Sequence, residues 1–257
     1  MPKFNANLSM LFTEVDFLDR FEKAAKAGFK GVEYLFPYDY DKNVLADKLR
    51  ANGLTQVLFN MPPGDWAAGE RGLACLPDRV GEFQESVGKA IDYAKVLDCK
   101  LINCMAGKTP EGVAPEKVQE TIVSNFKFAA AKFKEAGITV MIEAINNRDM
   151  PGYHVNTSKQ ALALIDAVGP DVGFQYDIYH MQRMEGELAN TIKANLDRIP
   201  HMQLADLPNR HEPGTGEINY AFLFKFLDEI GYKGWIGCEY IPANGTEAGL
   251  GWFAPYK

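Results

Sequence analysis

The feature that most constrains this chain is a rhythm. Runs of strand length, rich in Val, Ile, Leu and Phe, alternate with longer stretches of helical periodicity from one end to the other. The apolar runs fall at 4–8, 32–36, 55–60, 101–105, 139–145, 172–178, 201–205 and 235–240. Helical patterns occupy 16–27, 43–52, 79–97, 115–136, 157–168, 188–198 and 220–230. Gly28, Gly53, Gly137 and Gly231 stand just past four of these helices, and Pro115 opens another. Thr13 and Asp16 are spaced like a capping box for the first helix. Strand-to-strand connections long enough to hold a helix are what parallel pairing requires. Eight β/α units in 257 residues predict one α/β domain over 1–257, a TIM (β/α)8 barrel. A doubly wound open sheet is the competing arrangement. Its dinucleotide fingerprint is missing, because Gly214-Thr215-Gly216 has neither the third glycine nor the strand–turn–helix setting.

Charge and cysteine usage exclude several classes of function. A net charge of −7 argues against nucleic acid or an anionic membrane as partner, since both want basic patches. Cys75, Cys99, Cys104 and Cys238 have no paired CxxC spacing and demand neither zinc nor disulfides. No apolar signal core opens the chain and no run reaches membrane-spanning length, so a cytoplasmic enzyme is expected. Self-association is left open. Ala106-Gly107-Lys108-Thr109 mimics the tail of a phosphate-binding loop, but the first glycine of that motif would have to fall at Ile102.

In a barrel, alternate strand residues point inward and chemistry collects at the C-terminal ends. Glu143, Asp177, Gln203 and Glu239 all lie at such ends, with inward parity, on four consecutive strands. They are separated by 34, 26 and 36 residues, about one β/α unit each. Three carboxylates and an amide oxygen meeting at one point would repel without a cation, and all-oxygen ligation suits Mg²⁺ or Mn²⁺. Taken singly, each is as well explained by a buried ion pair or hydrogen bond; four equivalent positions favour a metal site. His180, three residues after Asp177, is a candidate substrate donor. The long connection from 61 to 77 has the length of a functional loop, and its Trp66 is placed to cap a site against water.

Several of these stretches are familiar together. QYDIYHMQRMEGEL at 175–188, GDWAAGERG at 64–72, IEAIN at 142–146, EPGTGEINY at 212–220 and GWIGCEY at 234–240 resemble the hydroxypyruvate isomerase family. That family belongs to the xylose-isomerase-like TIM barrels, with 2-oxo-tetronate isomerases and ketose 3-epimerases as relatives. The resemblance implies interconversion of hydroxypyruvate and 2-hydroxy-3-oxopropanoate, with Glu143 and Glu239 as proton donor and acceptor. It also implies a metal held by Glu143, Asp177, Gln203 and Glu239. Ketose epimerases usually carry His at the third of these positions, so Gln203 leans away from them. The substrate would be a small anionic 2-oxo or hydroxy acid, needing cations near its carboxylate. Arg71, Lys108 and Arg210 lie in the right loops, the arginines being able to grip bidentately. Asn7 and Asn60 are candidates for further hydrogen bonds. Two rivals are a metal-dependent endonuclease, which four histidines and the acidic charge argue against, and a non-catalytic binding barrel.

Overall fold

Each of the eight apolar runs becomes a parallel strand, and the last pairs with the first to close the ring. The strands are β1 (Lys3–Asn7), β2 (Gly31–Tyr34), β3 (Thr55–Asn60), β4 (Leu101–Asn103), β5 (Thr139–Glu143), β6 (Val172–Asp177), β7 (His201–Leu204) and β8 (Trp235–Cys238). Around them in chain order run α1 (Phe17–Ala27), α2 (Lys42–Asn52), α3 (Val80–Leu97), α4 (Pro115–Glu135), α5 (Ser158–Val168), α6 (Ile178–Met184), α7 (Leu188–Ala194), α8 (Tyr220–Glu229) and α9 (Thr246–Gly249). The coordinates, a computed structural model, describe residues 1–257. No helix is long and apolar enough to cross a membrane.

Local chemistry explains most of the boundaries. Asp41 caps α2 by accepting from the Asn43 N–H at 2.7 Å, and Thr157 with Gln160 forms a full capping box on α5. Gly28 ends α1 with φ of 106°, a left-handed conformation that a side chain would strain. The capping box expected at Thr13 and Asp16 does not form. Asp16 itself stands at the N-cap of α1 and makes no side-chain cap bond. The strand expected over 172–178 stops at Asp177, because its carboxylate accepts from the N–H groups of Tyr179 and His180 and starts α6. The run at 139–145 also ends early, at Glu143, where Ile145 N–H turns away to the carbonyl of Val155. Beyond β8 the chain forms α9 and a 3-10 run, Leu250–Tyr256, in place of a full eighth helix. That run lays Trp252, Phe253 and Tyr256 edge-on against Phe4, with ring centroids 5.1, 6.1 and 5.0 Å away.

Alternation along the strands sorts residues into two cores. Val140, Ile142, Phe174, Tyr176, Met202, Leu204 and Ile236 face the helices and join one continuous apolar layer. Each such buried side chain contributes about 1.5–3 kcal/mol. Inside the ring the apolar content is small: Val57, Leu58 and Met141, with Leu101 and Trp235 beside them. The rest of the interior is polar and fully buried, with Asn5, Glu33, Asn103, Gln175, His201 and Gln203. Gly237 leaves the room for this, since a Cβ there would fall 2.3 Å from Glu33 Oε1. Gly237→Ala is therefore expected to cost about 1–3 kcal/mol by overpacking, read as a lowered midpoint in urea denaturation. An unchanged midpoint would contradict this packing.

Candidate active site

The stagger of the barrel is what brings distant strand ends level. Glu143 is in register with Gln175, Gln175 with His201, and His201 with Trp235. Asp177 and Gln203 stand two residues beyond those partners, and Glu239 four beyond. Eight tilted strands of shear eight rise by about one residue per strand, so the four positions sit at nearly one height.

Glu143 is buried, and its Oε2 accepts from Asn103 Nδ2 at 2.8 Å. Its Oε1 lies 3.9 Å from His180 Nε2. Asp177 spends Oδ1 on capping α6. Its Oδ2 is buried without any hydrogen-bond partner, 3.4 Å from His180 Nε2 and 3.8 Å from the Arg210 guanidinium. Glu239, one residue past β8, is anchored by its own N–H to the carbonyl of Leu204, and its Oε1 accepts from Arg210 at 3.0 Å. Ligand atoms of Glu143, Asp177 and His180 all lie within 4.8 Å of one another, close enough to share one ion.

Arg210 reaches this cluster because its loop is tied down behind it. Asp206 accepts from the N–H groups of Leu207, Gly214, Gly216 and Ile218. The arginine backbone is held at φ of 58°, a left-handed conformation uncommon outside glycine and a form of strain met at functional sites. Its guanidinium also lies 4.9 Å from the centre of the Tyr179 ring.

Burial dominates the electrostatics. It raises the Glu143 carboxyl well above the usual range, and the charges of Glu239 and Asp177 add to the effect. Burial likewise pushes Glu239 up to about 8 and Asp177 up to about 6, with Arg210 opposing both. His180 goes the other way, held well below its ordinary value by burial and by the cations Arg210 and Arg183. Two carboxyl groups able to hold a proton near neutrality, set beside an imidazole and a guanidinium, are the parts of acid–base catalysis.

The other sequence candidates divide. Gln203 points inward, but its Nε2 donates to Glu33 and its Oε1 accepts from Gln175, which leaves one lone pair for anything else. Asn7 is committed to Glu33 and to the Ser9 N–H. The Asn60 side chain is buried and makes no hydrogen bond, while its carbonyl takes the Tyr38 hydroxyl. In the 61–77 loop Arg71 is bound to its own neighbours. It donates to the carbonyls of Trp66 and Glu70 and stacks 3.8 Å from the Trp66 ring. The Glu70 carboxylate pairs with Arg79, not with Arg71. Trp66 packs edge-on against Phe36 and stays partly exposed. Lys108 is exposed and forms no ion pair.

Sequence reasoning missed Glu33. Its Oε2 accepts from Asn5 at 2.8 Å and binds His201 Nε2 at 2.8 Å; its Oε1 accepts from Asn7 at 3.1 Å and Gln203 at 2.8 Å. Burial opposes the charge, but His201 and the amides outweigh it and hold the carboxyl below its usual range. The signal was present as a lone acidic residue inside an apolar strand.

The fold and the cluster together define a TIM barrel with a buried carboxyl cluster at one end of its strands, and comparison with known proteins narrows the class. The family model described as "Xylose isomerase-like TIM barrel" matches residues 21–256. A hydroxypyruvate isomerase of Escherichia coli is 55% identical over 258 residues, covering 100% of both chains. A 2-oxo-tetronate isomerase of Cupriavidus necator is 49% identical, covering 100% of this chain and 99% of its own. A crystal structure from Brucella melitensis, described as an AP endonuclease, family 2, superposes with a TM-score of 0.98 at 51% identity over 100% of both chains. The chain belongs to the xylose isomerase-like TIM barrel family, among the hydroxypyruvate and 2-oxo-tetronate isomerases, and is itself an isomerase.

Four donors converging on Glu33 make it costly to alter. Glu33→Gln would set an amide N–H₂ against these donors, and a loss of about 1–3 kcal/mol is expected. Chemical denaturation measures it, and a stability equal to the parent would contradict the network.

Proposed function

We propose that the protein interconverts hydroxypyruvate and 2-hydroxy-3-oxopropanoate, with Glu143 and Glu239 moving the carbon-bound proton. The observation that carries this reading is the pair of buried, proton-retaining glutamates at the open end of the barrel, one beside His180 and the other beside Arg210. Identity of 55% along the whole chain to a hydroxypyruvate isomerase supports the choice of substrate. A four-carbon 2-oxo acid is the alternative, supported by the 49% identity to a 2-oxo-tetronate isomerase. Both substrates present the same 2-oxo acid head.

In the reaction one glutamate takes a proton from C3 of hydroxypyruvate, the carbon that bears the hydroxyl. The electron pair left behind forms an enediolate across C2 and C3. The other glutamate returns a proton to C2, while the hydroxyl proton passes from the C3 oxygen to the C2 oxygen. Each positioned acid or base supplies roughly 10²–10⁴-fold. Arg210, half-buried, is the cation paired with the cluster and the first candidate to face the substrate carboxylate, with Lys108 and Arg71 further out on the rim loops.

The donor set also fits a divalent cation, Mg²⁺ or Mn²⁺. Asp177 Oδ2 is a buried oxygen without a partner; the Glu143 carboxyl is raised by burial and by the charges of Glu239 and Asp177, and that of Glu239 by burial and by the charges of Asp177 and Glu33. Glu143, Asp177 and Glu239 would hold the ion, with Gln203 Oε1 offering its remaining lone pair. Bound there, it would supply Lewis-acid stabilisation of negative charge developing on the substrate oxygens.

Glu143→Gln and Glu239→Gln are each expected to lower turnover of hydroxypyruvate by at least about 10²-fold with circular dichroism unchanged; near-normal turnover in either would reject the assignment. The ion's affinity should rise with pH between about 6 and 8. Asp177 and Glu239 titrate there in the protein without metal, and they must lose their protons before coordinating. Calorimetry with Mn²⁺ should accordingly detect proton release; binding that is flat across that range would contradict the ligand assignment.

A further inference from the structure

Asn146, buried just past β5, makes its side-chain hydrogen bonds to Arg148, Asp149 and His180 and not to the carboxylates of the cluster, yet these bonds decide what His180 can do. Three partners set the orientation of its amide. Oδ1 accepts from the N–H groups of Arg148 at 3.1 Å and Asp149 at 2.9 Å, and Nδ2 donates to Asp149 Oδ2 at 3.0 Å. Turned over, the amide would set its oxygen against a carboxylate and its N–H₂ against two backbone donors. Nδ2 therefore faces His180 Nδ1, 2.7 Å away, and an amide nitrogen only donates.

We propose that Asn146 is a positioning residue that fixes His180 in the tautomer carrying its proton on Nε2, making the ring a hydrogen-bond donor at the carboxylate cluster. Nδ1 must offer its lone pair to Asn146, so the proton sits on Nε2. That atom faces acceptors, Asp177 Oδ2 at 3.4 Å and Glu143 Oε1 at 3.9 Å. A metal ion bound through Nε2 would need the lone pair that this tautomer lacks there. His180 thus stays outside the coordination set, although its distance alone would admit it. The support for the amide is itself braced from α6. Tyr179 Oη donates to Asp149 Oδ2 at 2.7 Å, and Arg183 pairs with Asp149 Oδ1 at 3.3 Å. His180, Tyr179 and Arg183 share that short helix, so the ring and its brace move as one unit. The part the Nε2–H then plays rests on the function proposed above: it points to where substrate oxygens acquire negative charge.

The test is the nitrogen NMR pattern of ¹⁵N-histidine-labelled protein, with His180 assigned by loss of its signals in His180→Gln. The expected result is a lone-pair-type Nδ1 and a proton-bearing Nε2 in the unsubstituted protein, free of substrate. Asn146→Asp replaces the donor with an acceptor, and its Nδ1 signal is expected to become the proton-bearing one. Turnover in that variant should fall by about 10²-fold, chiefly in kcat. Asn146→Ser keeps an oxygen for the Arg148 and Asp149 N–H groups and serves as the second variant; there the Nδ1 shift is expected to move away from the hydrogen-bonded value. A proton-bearing Nδ1 in the unsubstituted protein overturns the inference, as does a nitrogen pattern that neither variant changes. The pattern needs no substrate. If it holds while hydroxypyruvate is not turned over, the functional reading falls and the tautomer stands.

Discussion

Three carboxyl groups drawn together out of water are the constraint on which the rest of the molecule depends. Two unit charges 4 Å apart repel by about 4 kcal/mol at the effective dielectric of a protein site, so Glu143, Asp177 and Glu239 cannot all be charged without help. Each receives a different kind. Glu143 has the Asn103 amide, Asp177 has the first N–H groups of α6, and Glu239 has the Arg210 guanidinium. That help stops short of neutralising the set, and protons remain on it into the neutral range. An unsatisfied cluster of this sort is costly as structure and useful as chemistry, because a group that holds its proton near neutrality can both give and take it.

Much of the surrounding architecture serves to hold those three groups still. Asp206 gathers four backbone N–H groups so that the loop can present Arg210 in a strained conformation. Below the cluster, Glu33 shows the opposite solution for a buried carboxylate. Four side-chain partners meet it, its charge is retained, and it has no proton to exchange near neutral pH. The contrast between Glu33 and Glu239 is one of donor supply, since both are buried. Gln203 joins the two layers, donating down to Glu33 from the level of the cluster. The polar interior therefore acts as a plinth for the site.

The barrel was legible because its signal is redundant: eight apolar runs, seven helical patterns and the stops between them all agree. Inward parity carried Glu143, Asp177, Gln203 and Glu239 to the right face, since a period of two leaves little freedom once one face is buried. What sequence could not supply was competition for each atom. Asn7 and Gln203 carry the right chemistry at the right height, but Glu33 takes an amide N–H of each, and a partner 26 or 170 positions away leaves no local trace. Arg71 likewise satisfies itself on Trp66, within its own loop. The helix α6 was hidden because it is only seven residues long and starts directly after Asp177, with no loop to separate it from the strand. Asp177 was read as a ligand and was also the cap.

The central claim is that the glutamate pair moves a carbon-bound proton at this site. Incubating hydroxypyruvate with the protein in D₂O and following the carbon positions by NMR tests it most directly. The account predicts that deuterium from solvent enters at C2 of the product during turnover, as a proton held on a carboxyl group exchanges with water. Product formed with its original hydrogen carried intact from C3 to C2, and no solvent label at any stage of the reaction, would contradict it.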